Sequence, residues 1–202
     1  MHTRTYQVKA YRINAQTMRI RGRLTDTTPA GLYIDDDPDP LDVHDMVVDL
    51  VVGYPDLIIQ SIDVVIDTHP HKNCASIEAA YQQLEGLSIG RGISRNLTER
   101  LGGPSGCSHV GALLKAMVPV AVQSLYSMQL ADPETDKRAS RQGHDPEALK
   151  PVQELVRNSC HVWADNSELV RATDAGLAVE APVWISDRLE KLGRSNEIAD
   201  WA

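Results

Sequence analysis

The sequence predicts an α+β protein: a small antiparallel β-sheet with helices packed on one face, plus a helical C-terminal appendage. Three observations carry that reading. Period-two alternation marks the early part of the chain, two Val- and Ile-rich runs are joined by a strong turn signal, and helical periodicity takes over at Cys74. Strands first and helices after, with few alternations, put the helices on one side of a sheet rather than between parallel strands.

Val8 to Ile13 reads as a first strand. Thr17 to Asp26 reads as a second, with Met18, Ile20, Gly22 and Leu24 on one side and Arg19, Arg21 and Arg23 on the other, the alternation of a half-buried strand. An acidic loop from Asp35 to Asp42 follows, where Pro38 and Pro40 lack amide protons and resist regular structure. His44 to Val52 and Leu57 to Asp67 form an antiparallel hairpin around Gly53-Tyr54-Pro55-Asp56. In its second strand Asp63 and Asp67 share one face with Ile59 and Val65, and Ile58, Ile62, Val64 and Ile66 supply the buried face.

From Cys74, Ile77, Tyr81 and Leu84 recur at helical spacing, Asn73 is placed to cap the first turn, and Gly86 stands where a left-handed terminal residue is wanted. A short helix covers Ile93 to Leu101 and stops at Gly102-Gly103. A longer one carries the stripe Val110, Leu113, Leu114, Met117, Ala121, Leu125 and Met128, with Pro119 expected to kink or split it. The organisation expected is a core domain over 1–130, a linker or mobile loop over 131–148 and a helical appendage over 149–202.

At 202 residues, 42% hydrophobic and 24% charged, the chain suits one globular domain of ordinary size. Its apolar runs are interrupted well short of a membrane span and no signal peptide is legible, so a cytoplasmic protein without a membrane partner is expected. The net charge is −8, and the stretch between Arg23 and Lys72 has many Asp and no Lys or Arg, which repels a phosphate backbone and argues against nucleic acid. Cys74, Cys107 and Cys160 cannot all pair with one another, which favours reduced thiols available for metal or for chemistry.

Metal-competent side chains stand at the ends of expected elements: His44-Asp45 at a strand start, Cys74 at a strand-to-helix junction, and Cys107-Ser108-His109 at the start of the long helix. Antiparallel pairing brings the start of the first hairpin strand beside the end of the second, so His44 and Cys74 are expected to be neighbours. A helix docked at the same edge adds Cys107 and His109. Thiolate with imidazole suits one divalent metal, zinc or iron, with His44, Cys74, Cys107 and His109 as ligands. Asp45, with His44 and His109, is the candidate catalytic group, as general base or as support for a ligand. Free amides at a helix start favour thiolate, and the run Gly102 to Gly106 allows close approach of a ligand. Each residue also has a plain reading: small apolar filler for a cysteine, a satisfied polar group for His44, a helix stop for the glycines. His69 and His71, flanking Pro70, are solvated loop residues or alternative ligands, and Cys160-His161 is a weaker candidate pair. A P-loop, a dinucleotide-binding glycine fingerprint, a nucleophile elbow and an H-E-x-x-H motif are all missing.

Val43-His44-Asp45-Met46, Cys74 with Leu84-Glu85-Gly86, Leu101-Gly102-Gly103 and Gly106-Cys107-Ser108-His109-Val110 resemble the bacterial family known as domain of unknown function 2889, over about residues 4–130. The association of that family with catabolism of aromatic or steroid-like compounds implies an enzyme. The element order is also similar to the iron–sulfur scaffold proteins of the NifU and SufE fold, with Asp45 and Cys74 at matching positions. The first scaffold cysteine is missing here, and Cys107-x-His109 replaces a His-Cys pair.

These readings converge on a small metal-dependent lyase or hydrolase acting on an oxygenated aromatic or alicyclic intermediate. The alternatives are a non-catalytic carrier of iron–sulfur clusters or sulfur, and a metal-free enzyme with Cys107 as nucleophile and His109 or His44 as base. The expected partner is a small-molecule substrate, with a homo-oligomer left open.

Overall fold

The computed structural model describes residues 1–131 and 153–201, so most of the expected linker over 131–148 lies outside the described residues. The chain divides into two compact units, Met1–Met128 and Gln129–Ala202.

The first unit is a four-stranded antiparallel sheet in the order β1-β2-β3-β4, built from β1 (Thr3–Asn14), β2 (Thr17–Thr28), β3 (Leu41–Gly53) and β4 (Ile59–Thr68). Every strand pairs with its sequence neighbour, as a chain of hairpins must. β2 alternates as its sequence requires: Met18, Ile20 and Leu24 are buried, and Arg19, Arg21 and Arg23 project from the other face. Burying each such aliphatic side chain contributes about 1.5–3 kcal/mol.

β4 departs from the expected pattern at its start. Ile59 is buried at 1% exposure and Ile58 is 37% exposed, the reverse of the sequence reading. The register shifts between Val51 and Val52, where Val51 faces Ser61 and Val52 faces Ile59, and such a bulge moves the next side chain to the opposite face. Farther along, Ile62, Val64 and Ile66 are buried as expected.

Cys74–Leu84 is a 3-10 segment rather than an α-helix. Asn73 makes no side-chain capping bond there, and the first turn has no acidic residue to favour an α-helical start. Gly86 does adopt the left-handed conformation, at φ +81°. The helix α1 spans Ile93–Leu101 as expected. The long helix α2, Ser108–Leu130, continues through Pro119 as one element. Its stripe from Val110 to Met128 is buried, and it crosses the sheet at Gly22, where an added Cβ would lie 2.7 Å from Met117 Sδ. α2 is long and apolar enough by composition to cross a membrane, a feature the sequence reading missed; the same stripe is what a core helix needs.

In the second unit, α3 (Glu168–Asp174) is capped by the Ser167 hydroxyl, which accepts from Val170 N–H, and α4 (Val183–Lys191) buries Ile185 and Leu189. Arg157 pairs with both Asp165 and Asp174. Cys160 is exposed.

Candidate metal centre

The buried stripe of β2 does not end at Leu24. Two residues on, Asp26 occupies the same face at 0% exposure. A carboxylate in that position is costly unless charge and hydrogen bonds compensate it. β1 supplies Arg4, directly opposite Asp26 in register, whose Nε and Nη2 donate to the two carboxylate oxygens at 2.6 Å each. From the other side β3 supplies His44, also opposite Asp26, with Nδ1 3.0 Å from Oδ2. His109, the second residue of α2, brings Nε2 to 3.5 Å from Oδ2, and His2 Nε2 lies 3.4 Å from Oδ1.

The imidazoles of His44 and His109 lie face to face at a tilt, with centroids 3.9 Å apart and planes inclined by 31°. One ligating atom from each of Asp26, His44 and His109 falls within 4.8 Å of the others. Two imidazoles and one carboxylate form a donor set that suits ferrous iron or zinc. The side chains of His44 and His109 are 17% and 21% exposed, so the group opens to solvent on one side.

Hydrogen bonding to the Arg4 guanidinium holds the Asp26 carboxyl down at about 2, against the opposing effect of burial. The His109 ring is pushed below its ordinary value, first by burial and then by the neighbouring His44 and Arg4. Both shifts favour the ligating forms, carboxylate and neutral imidazole. Arg4 acts in the opposite direction on a cation: it is a fixed positive charge on the same carboxylate. A carboxylate has about four lone-pair sites, and the guanidinium takes two of them.

Tyr81 sets the position of the α2 start. Its buried hydroxyl accepts from Cys107 N–H at 2.9 Å and donates to the Cys107 carbonyl at 3.1 Å. Burial pushes the phenol up to about 12. Cys107 immediately precedes α2, and its Sγ lies 3.8 Å from His109 Nδ1, on the ring edge away from Asp26.

Of the residues singled out in the sequence, His44 and His109 meet as expected, and Cys107 stands beside them. Cys74 is half-buried at the start of the 3-10 segment, and among the described residues neither Cys74 nor Cys107 belongs to the group of close ligating atoms. Asp45 lies on the opposite face of the sheet from His44, since consecutive strand residues alternate. It is ion-paired there with Arg23, whose Nε donates at 2.8 Å. An open concavity of about 620 Å³ also lies on that side, lined by charged groups including Arg19, Arg23, Asp45 and Asp49, and contains none of the three clustered residues.

Sequence reasoning missed Asp26 and Arg4. The signal for Asp26 was present: the period-two stripe Met18, Ile20, Gly22, Leu24 extends to position 26, and a carboxylate on a core stripe must be compensated by partners. Arg4 had no local signal, because its role follows from the β1–β2 register.

Among known proteins, the sequence model of a family described as a protein of unknown function, DUF2889, matches residues 2–123. No curated protein matches the chain, and no solved structure matches it.

Proposed function

The chain belongs to the DUF2889 family, and from that premise we propose that it is a metal-dependent enzyme whose divalent ion, zinc or ferrous iron, is held by Asp26, His44 and His109. The observation that supports this is the approach of a buried carboxylate and two imidazoles to within 4.8 Å at the solvent-reaching end of the sheet. This ligand set replaces the cysteine-rich one expected from sequence: His44 and His109 stay, and Asp26 takes the place of Cys74 and Cys107. An ion there would act as a Lewis acid toward a substrate oxygen, in keeping with lyase or hydrolase chemistry on a small oxygenated aromatic or alicyclic molecule. The chain's own contributions are definite. Arg4 and His2, both partly exposed beside Asp26, offer hydrogen-bond donors for an anionic substrate group, Arg4 with a fixed positive charge. Tyr81 fixes the segment that carries His109.

Metal titration of the chelator-treated protein tests the reading. One zinc or ferrous ion per chain is expected, lost in Asp26→Asn and His44→Ala. Equal binding by those variants and the parent would contradict it.

One observation favours a second reading. Cys107 Sγ, the two nitrogens of His109 and Asp26 Oδ2 lie in series at 3.8 and 3.5 Å, the order of a thiol nucleophile, its base and an orienting carboxylate. That enzyme would keep its activity in chelator and lose it in Cys107→Ser. A carrier of iron–sulfur clusters draws less support, since clusters are held chiefly by thiolates and the close group contains none.

A further inference from the structure

β3 and β4 run in register through Met46 opposite Ile66, and the next pair is Asp45 opposite Thr68. Asp67 is therefore an extra residue in β4, a bulge that reverses which face the following side chains take. Asp67 borders the open concavity with Asp45 on the outer face. β4 ends at Thr68, the partner of Asp45, and His69 is the next residue, so it leaves the sheet beside the strand position next to His44. Arg4, Asp26 and His44 form one row across the end of the sheet, and His69 lies just past β4 at that same end.

The side chain of His69 bears an independent mark. Its Nδ1 is buried and has no hydrogen-bond partner. Buried polar nitrogens are nearly always satisfied, so this orphan requires an explanation, and an absent ion is a recognised one.

We propose that His69 is a further ligand of the ion assigned to Asp26, His44 and His109. The inference rests on that assignment and adds a third imidazole to it, giving four protein donors. His69 lies outside the 4.8 Å group of Asp26, His44 and His109.

Cobalt(II), whose visible absorption reports the number and type of its ligands, serves as the probe. The parent protein, His69→Ala, His69→Gln and His71→Ala are titrated with it, and circular dichroism verifies that each variant is folded. The parent is expected to take up one cobalt per chain. Both His69 variants should bind at least about tenfold more weakly with altered visible bands, and His71→Ala should match the parent. Unchanged affinity and spectrum in the folded His69 variants would overturn the role of His69 and leave the three-residue centre standing. A parent that takes up no cobalt would overturn both.

Discussion

Asp26 of β2 stands directly opposite His44 of β3, with the imidazole Nδ1 3.0 Å from the carboxylate. Because Asp26 is wholly buried, whatever else touches it decides both its charge and what a cation placed there would meet. Arg4 is the main such group.

Replacing Arg4 with Gln removes the fixed charge that a metal ion must share. The account expects two opposite changes: tighter metal binding, and a metal-free protein less stable by about 3 kcal/mol, since a buried carboxylate loses its charged partner. Metal titration and urea unfolding read them separately. A purely structural Arg4–Asp26 pair would show the second change without the first.

Acid should weaken the metal-free fold through the same carboxylate. The native Asp26 titrates at about 2 and its unperturbed value is 3.8. Between those values the unfolded chain binds the proton more readily, so this contribution is fully present above about pH 4 and is lost as pH falls towards 2. The shift corresponds to about 2 kcal/mol. Unfolding free energies of the parent and Asp26→Asn at pH 5 and pH 2.5 should draw together in acid; a gap independent of pH would contradict the assignment.

Tyr81→Phe removes the hydroxyl that both donates to and accepts from the Cys107 backbone. Leaving that amide unpaired should cost about 1–3 kcal/mol. It should also loosen the first turn of α2, so Cys107 N–H is expected to exchange faster with solvent and metal affinity to fall through His109. Unaltered exchange at Cys107 would show that the segment is held by other contacts.

How far the sequence revealed this arrangement depended on whether a feature was local. β2, the β3–β4 hairpin and α2 follow from periodicity, and the meeting of His44 with His109 follows from antiparallel topology and a helix docked at one edge. The assignment of Ile58 and Ile59 failed at a bulge. Asp45 adjoins His44 in sequence, yet neighbours in a strand face opposite ways and Asp45 pairs with Arg23. Asp26 was legible from the stripe it continues, but a stripe is easily read as finished at its last apolar residue. Arg4 required knowledge of which strand lies beside β2.

The most direct test of the metal centre compares ion binding by the parent, Asp26→Asn, and Cys74→Ser after chelator treatment, with zinc and with ferrous iron under anaerobic conditions. The structure-based ligand set predicts one ion per chain in the parent and in Cys74→Ser, and none in Asp26→Asn. Retention by Asp26→Asn together with loss in Cys74→Ser would move the ion to the thiols and contradict the centre described here.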